Sequence, residues 1–249
     1  MVELADLVRY CDERLRPEAF DDYCPNGLQV DAGTGDVRVL VSGVTASLAL
    51  IEAAAERGAD ALLVHHGYFW KGEPAPLVGP KGRRVRRLIE SGISLVAYHL
   101  PLDAHPEVGN NRQLGVRLGV EQALPAGEGL VWRGEFPAGL GPREFGNRID
   151  EVLGRAPLHI AGGGPEIRTL AWCTGGAQGL IAEAAALGCD AFLSGEVSEP
   201  TFHAAHELGL HYFGAGHHAT ERFGVQALGA EIAAHFGVEH CFVDVLNPV

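Results

Sequence analysis

Two stretches of this chain carry the same strand–helix–strand pattern, and this repeat restricts the fold more than any other feature of the sequence. The stretch from Val39 to Leu63 aligns without gaps on the stretch from Thr169 to Leu193, so that two G-x-D-A turns coincide. Alanine-rich helices resemble one another by chance, but here the flanking strands and the turn align as well. We therefore predict two related α/β halves.

The rest of the chain also alternates between strand and helix patterns. Apolar residues at three- and four-residue intervals predict an opening helix that Pro17 stops. Strand and helix patterns then follow one another as far as a last helix that ends near Phe236. This alternation is typical of an α/β fold with a mostly parallel sheet and helices on its faces. We assign residues 1–125 to the first half and residues 126–249 to the second.

Composition and charge exclude several classes of protein. The 249 residues carry 19 Lys and Arg against 32 Asp and Glu, a formal net charge of −13. Nucleic-acid binding needs a basic surface, which only the arginines at 83, 84, 86 and 87 could offer, so a nucleic-acid partner is not expected. No apolar stretch approaches the roughly 18 residues of a membrane span, and the N-terminus does not resemble a signal peptide. The five scattered cysteines form neither a disulfide framework nor a CxxC zinc motif, so we expect a cytoplasmic protein.

A pair of histidines, His65 and His66, directly follows an apolar strand at 61–64. Where a chain leaves a sheet, two neighbouring side chains can reach one region, and imidazoles in such a place are typical metal ligands. Two solvated loop histidines would have the same sequence, so the pair alone leaves both interpretations open.

A second apolar strand is followed by His99, Asp103 and His105. Pro101 ends the strand, so these side chains are expected at the same edge of the sheet as the histidine pair. The alternative is that Asp103 only caps the turn before Pro106.

A third group, G-H-H-A-T-E, starts at Gly216 after a strand-like segment. His217 and Glu221 are four residues apart and share one face of a first helical turn, whereas His218 points about 100° away. The alternative for Glu221 is that it interacts only with the helix dipole.

These donors follow three strand ends that a parallel sheet places at one edge. A set of His, His, Asp, His and Glu exceeds the ligands of one tetrahedral ion, and a carboxylate can bridge two ions about 3.5–4 Å apart. We therefore predict a dinuclear centre held by His65, His66, Asp103, His217 and Glu221. Because no thiolate belongs to the set, zinc, manganese, iron, cobalt and nickel all remain open.

Further polar features could also contact a ligand. The turn Thr174–Gly179 lies between a strand and a helix, where free amides can hold an anion, although a plain tight turn has the same sequence. Glu196 and Glu199 could approach the cleft or be solvated carboxylates at a helix start. His218 adds a spare imidazole.

Five sequence blocks occur in one order along the chain: L-L-V-H-H-G from Leu62, Y-H-L-P-L-D-A-H-P-E-V-G-N-N from Tyr98, C-T-G-G-A-Q-G from Cys173, D-A-F-L-S-G-E from Asp190 and G-H-H-A-T-E-R-F-G from Gly216. Together they resemble the NIF-three-like family, whose members are also called GTP cyclohydrolase type 2 homologues. The resemblance spans nearly the whole chain.

The resemblance implies a duplicated three-layer α/β/α fold with two intertwined halves, two divalent metal ions per subunit and a ring-shaped homohexamer. It implies that His65 and His217 share one ion, that His66 and Asp103 share the other, and that Glu221 bridges both. Longer family members carry an inserted middle domain, for which this chain has no room. His218 stands where the family pattern has an aromatic residue such as tyrosine.

These observations favour a metal-dependent hydrolase that acts on a small molecule. The metal pair would activate water, so that no serine or cysteine nucleophile is needed, and His99 would transfer protons beside it. The substrate would be a nucleotide, a phosphoester or a cyclic amide, and the family name suggests GTP. The alternative is a metal-binding or regulatory oligomer without turnover.

Overall fold

The computed structural model describes residues 1–126 and 129–249. Its α-helices in chain order are α1 (Leu4–Leu15), α2 (Leu48–Glu56), α3 (Gly79–Glu90), α4 (Leu100–Ala104), α5 (Asn110–Arg117), α6 (Pro142–Leu153), α7 (Ile181–Ala186), α8 (Glu199–Glu207), α9 (His217–Thr220) and α10 (Arg222–Phe236). Short 3-10 turns cover Pro17–Ala19 and Gln178–Leu180. No helix among these residues is both long enough and apolar enough to cross a membrane.

The strands in chain order are β1 (Val2–Glu3), β2 (Gly27–Val30), β3 (Asp36–Val37), β4 (Val39–Thr45), β5 (Ala61–His66), β6 (Ser94–Ala97), β7 (Glu121–Pro125), β8 (Trp132–Leu140), β9 (Leu158–Ile160), β10 (Ile167–Cys173), β11 (Ala191–Ser194), β12 (His211–Gly214) and β13 (Glu239–Phe242). They form one small antiparallel pair, β1 with β3, and two larger sheets.

The chain divides into two compact units. The first unit comprises Met1–Leu102 and Gly224–Leu246, and the second comprises Asp103–Phe223 and Asn247–Val249. These limits differ from the halves at 1–125 and 126–249: residues 103–125 belong to the second unit, and residues 224–246, which add β13 to the sheet of the first unit, belong to the first. The predicted halves therefore remain a statement about the sequence repeat.

The first unit contains a sheet with strand order β13-β4-β5-β6-β2. The strands β13, β4, β5 and β6 are parallel, and β2 pairs antiparallel with β6. The strands β5 and β6 are apolar and buried along most of their length, as is typical of parallel strands in a sheet that is packed on both faces. Val41, Leu62 and Leu95 lie in its core with α2 residues such as Leu50 and Ile51.

The second unit contains a sheet with strand order β7-β8-β10-β11-β12-β9. Only β10, β11 and β12 are parallel, whereas β8 and β9 flank them antiparallel and β7 pairs antiparallel with β8. The α/β class is confirmed. The expectation of a mostly parallel sheet is wrong for this unit, because consecutive strands such as β7 and β8 pair without a crossover helix.

The sequence repeat extends to individual hydrogen bonds. Asp60 Oδ2 accepts the backbone N–H groups of residues 38 and 39 at 2.8 and 2.9 Å. Asp190 Oδ2 accepts those of residues 168 and 169 at 2.9 and 2.8 Å. Each aspartate thus ties the turn before the second strand of its repeat to the start of the first strand of that repeat, which gives the G-x-D-A turn the same role in both.

Candidate functional site

His65 and His66 are the last two residues of β5 in the first unit. Their ring centroids lie 4.6 Å apart, although neighbouring side chains of a regular strand face opposite ways. Nδ1 of His65 lies 2.9 Å from the backbone oxygen of Tyr98, and Nδ1 of His66 lies 3.2 Å from Thr45 Oγ1. Since Nδ1 is engaged in both rings, Nε2 is the nitrogen that suits a metal ion.

His99 lies beside this pair. Its ring centroid is 5.0 Å from that of His65 and 5.8 Å from that of His66. One ring nitrogen from each of the three imidazoles lies within 4.8 Å of the others. The first unit therefore gathers three nitrogen donors, the number that catalytic zinc sites commonly take from the protein.

Asp22 holds His99, and sequence reasoning did not find it. The side chain of Asp22 is 3% exposed. Its Oδ1 accepts the Nδ1–H of His99 at 2.6 Å, and its Oδ2 accepts hydrogen bonds from Asn26 Nδ2 and the backbone N–H of Leu100, each at 2.9 Å. Burial raises the pKa of Asp22, but hydrogen bonds from His99 and Asn26 and the charge of His99 outweigh it and lower the pKa to about 2. An ionised Asp22 keeps the proton of His99 on Nδ1, which leaves Nε2 to take up or release a proton.

Asp103 lies in α4 and is 5% exposed. Its Oδ1 accepts hydrogen bonds from Asn110 Nδ2 at 2.9 Å and from Thr174 Oγ1 at 3.3 Å. A carboxylate oxygen of Asp103 lies within 4.8 Å of one from Glu221, which is 3% exposed. Two buried carboxylates so close together repel each other, and a cation bound to both would relieve that repulsion.

His217 and Glu221 face each other across the short helix α9. His217 begins the helix and Glu221 follows its last residue, with Nε2 of His217 at 3.1 Å from Oε2 of Glu221. Nδ1 of His217 donates to Glu196 Oε1 at 2.7 Å. Burial lowers the pKa of His217, but hydrogen bonds and charges from Glu221 and Glu196 outweigh it and raise the pKa to about 9. Without a metal, both ring nitrogens are therefore protonated at neutral pH, and a cation would replace the proton on Nε2.

Gly175 leaves the space that Glu221 occupies. Its φ is +70°, and a Cβ at this position would lie 2.0 Å from Glu221 Oε1 and 3.2 Å from His217 Nε2. The close approach and the left-handed backbone both require glycine here. The turn that contains Gly175 therefore shapes the pocket around the carboxylate.

The amides of this turn are used within the protein. Thr174 N–H donates to Asn111 Oδ1 at 2.9 Å, Gly175 N–H donates to Thr220 Oγ1 at 3.1 Å, and Ala177 N–H donates to Ser194 Oγ at 3.1 Å. These three donors are therefore not available to an anion, and they tie the turn to Asn111, Thr220 and Ser194.

Two other candidates from the sequence have structural roles. His105 Nδ1 accepts the backbone N–H groups of Glu107 at 3.2 Å and Val108 at 3.1 Å, so it caps a turn. Glu199 has an 81% exposed side chain that pairs with His203 at 3.2 Å. It matches the solvated carboxylate that the sequence allowed, whereas Glu196 does contact a candidate ligand. Glu196 is the equivalent of His66 in the alignment of the two repeats.

The described residues therefore include nitrogen and oxygen donors that suit a divalent ion. The first unit offers imidazole nitrogens, and the second unit offers one imidazole and two buried carboxylates without a thiolate. Such nitrogen and oxygen donors suit zinc, manganese, iron, cobalt or nickel. The joint binding of two ions by His65, His66, Asp103, His217 and Glu221, and the role of His99, stay predictions.

Comparisons with known proteins agree along the whole chain. Residues 2–248 match the family model described as Duf34/NIF3 (NGG1p interacting factor 3). A protein of Allochromatium vinosum named "GTP cyclohydrolase 1 type 2 homolog" is 54% identical over 100% of this chain and 98% of its own length. A solved structure of protein ybgI, described as of unknown function, has a TM-score of 0.96 at 45% identity and covers 100% of both chains. The crystal structure of TTHA1606 from Thermus thermophilus has a TM-score of 0.93 at 38% identity with the same coverage.

Proposed function

This chain belongs to the Duf34/NIF3 family, and on that premise we propose that it binds two divalent metal ions through His65, His66, Asp103, His217 and Glu221. The observation that carries the proposal is the pair of buried carboxylates, Asp103 and Glu221, with oxygens within 4.8 Å of each other. Burial of two negative charges at this separation is costly unless cations offset them. Without a metal, the His217 imidazolium at 3.1 Å from Glu221 offsets one of them, whereas a divalent ion would contact both carboxylates.

The orientation of the imidazoles supports the same proposal. His217 turns Nδ1 to Glu196, and His65 turns Nδ1 to the backbone oxygen of Tyr98. Metal-binding histidines almost always place their second nitrogen against a carboxylate or a carbonyl, which fixes the ring and increases its basicity. Both rings therefore present Nε2 as the donor.

The activity that this site supports best is hydrolysis of a small molecule. Divalent ions lower the pKa of bound water towards about 7 and so supply a nucleophile at neutral pH. His99, oriented by Asp22, would accept or deliver the proton of the reaction at Nε2. The proposed substrates are nucleotides, phosphoesters and cyclic amides, and GTP is included because of the names of the relatives.

Elemental analysis of the purified protein tests the metal proposal. We expect about two divalent ions per chain, and fewer in Glu221→Gln, which removes the charge of one buried carboxylate. Glu199→Gln is the matched control, because it removes an exposed glutamate from the same unit. Metal-free wild-type protein after growth and purification with added metal would contradict the proposal.

A substrate screen tests the activity. The metal-loaded protein is incubated with pooled nucleotides, phosphoesters and cyclic amides, and products are identified by mass spectrometry. Product formation that Glu221→Gln abolishes supports the hydrolase. Full metal content without any product would favour the alternative, a metal-binding or regulatory protein without turnover.

Assembly and compartment are part of the same proposal. We propose a homohexamer, which light scattering on the purified protein tests directly. We also propose a cytoplasmic location, since the five cysteines are free thiols and four of them are buried.

A further inference from the structure

A cavity of about 640 Å³ lies within the second unit. It adjoins the ends of β11 and β12, where ligands of α/β sheets commonly bind. Arg155, Leu158, Glu196, Val197 and Gly216 line it together with the end of the chain at 248–249. Its volume is in the range of cavities that hold small molecules and cofactors.

Arg155 brings a positive charge to this cavity. The side chain is partly buried, and its Nη1 donates to the backbone oxygen of Pro248 at 2.8 Å. Within residues 1–126 and 129–249, Arg155 forms no ion pair, although the chain carries a net charge of −13. A guanidinium has five N–H donors in a planar fork that matches phosphate and carboxylate groups. An anionic ligand would give Arg155 the ion-pair partner that these described residues do not provide.

Gly216 makes room for this guanidinium. Its φ is +99°, and a Cβ there would lie 2.3 Å from Arg155 Nη1 and 2.8 Å from Cζ. No side chain larger than hydrogen is compatible with this arrangement. Gly216 directly precedes His217, so Arg155 lies against the neighbour in sequence of a proposed metal ligand.

Leu158 and Val197 give the cavity an apolar surface, and they are 49% and 40% exposed. A Cβ on Gly214 would lie 3.6 Å from Val197 Cβ and 3.8 Å from Leu158 Cβ, so the two side chains flank the same glycine. Exposed aliphatic side chains that line a cavity are typical of a surface that contacts the apolar part of a ligand.

Glu196 brings a negatively charged side chain to this cavity, and both of its carboxylate oxygens accept hydrogen bonds. Oε1 accepts from His217 at 2.7 Å and Oε2 accepts from Gln178 Nε2 at 3.2 Å. Both oxygens of Glu196 therefore already have a donor other than Arg155.

We propose that this cavity binds the substrate, a small molecule with a phosphate group and a ring, and that Arg155 holds the phosphate while Leu158 and Val197 contact the ring. The inference rests on the proposed function, which places the reacting metal ions at His217. It narrows the proposed substrates to those with both a phosphate group and a ring, and it names the residue that selects the phosphate.

Equilibrium binding of GMP and guanosine, measured by calorimetry, tests the inference. The two probes share a ring and differ by the phosphate. We expect wild-type protein to bind GMP and to bind guanosine at least about tenfold more weakly, since charge-assisted hydrogen bonds to phosphate are lost. Arg155→Gln should weaken the binding of GMP at least about tenfold and leave the binding of guanosine unchanged. Arg155→Lys should recover part of the lost affinity for GMP.

Arg143→Gln is the control, because it removes the same charge from an exposed position of the same unit. Lack of GMP binding by the wild type, or equal GMP binding by the wild type and Arg155→Gln, overturns the inference. Metal content is measured on the same samples. If the protein holds no metal but Arg155→Gln still binds GMP more weakly than the wild type, the proposed function fails and the cavity assignment stands. If the metal content is normal but the wild type and Arg155→Gln bind GMP equally, the cavity assignment fails and the metal proposal stands.

Discussion

The imidazole of His99 and the carboxylate of Asp22 are joined by a 2.6 Å hydrogen bond from Nδ1 to Oδ1, across 77 positions of sequence. The carboxylate also accepts backbone N–H groups from Tyr23 and Leu100, at 2.6 and 2.9 Å. These bonds fix the orientation of the ring in the first unit. His99 therefore enters the reaction, or coordinates an ion, through Nε2.

His99→Gln separates these two roles. As a proton-transfer residue, His99 contributes a factor of about 10²–10⁴ to the rate, so turnover of a substrate from the screen should fall by that factor with metal content unchanged. Elemental analysis and the rate are measured on the same preparation. His203→Gln, which removes an exposed histidine, should change neither. Loss of metal in His99→Gln would make His99 a ligand.

Asp22→Asn should alter stability in a pH-dependent way. A carboxyl pKa lowered to about 2 corresponds to about 2 kcal/mol of stabilisation, complete above the unfolded-state value near 4 and lost as the pH falls through 2. In urea unfolding at pH 7, the free energy of unfolding of the wild type should thus exceed that of Asp22→Asn by about that amount. Roughly half of this difference should be lost at pH 3. The control is Asp21→Asn, because Asp21 is 96% exposed. A difference that does not depend on pH would contradict this account.

Glu196→Gln should weaken metal binding without removing a ligand. The carboxylate holds His217 at Nδ1 and increases the basicity of Nε2, and loss of such support typically costs 10–100-fold in metal affinity. Competition with a chromophoric chelator measures the affinity. Glu199→Gln should bind metal like the wild type, and equal affinity in Glu196→Gln would show that Glu196 does not support the ligand.

Gly175→Ala should disturb the site more than its backbone strain alone explains. Both Gly175 and Gly188 have φ of +70°, but a Cβ on Gly188 meets nothing within 4 Å, whereas one on Gly175 meets Glu221 Oε1. The free energy of unfolding of Gly188→Ala should therefore fall by only about 1–2 kcal/mol, which is the cost of the left-handed conformation for a residue other than glycine. Gly175→Ala should lose more than this and also lose metal. Equal losses of unfolding free energy with full metal content in both variants would refute the close approach.

Local patterns predicted the framework of the molecule. The opening helix ends at Leu15 before Pro17, as the apolar spacing indicated. The aligned stretches both form strand, helix and strand, with β5 and β11 beginning at equivalent positions, Ala61 and Ala191. These features depend on neighbours in sequence, because periodicity, proline and turn residues act over a few positions. The short strand β2, beside Asn26, carried no such pattern and was missed.

The sequence by itself determined the order of the elements, the repeat and the kinds of donor that follow the strand ends. Only the tertiary structure decided which of these donors meet and how each is held: Asp22 contacts His99, and Glu196 contacts His217. Such pairings arise where segments distant in sequence pack together. The free energy of a buried charge depends on those spatial neighbours, which no local pattern of residues records.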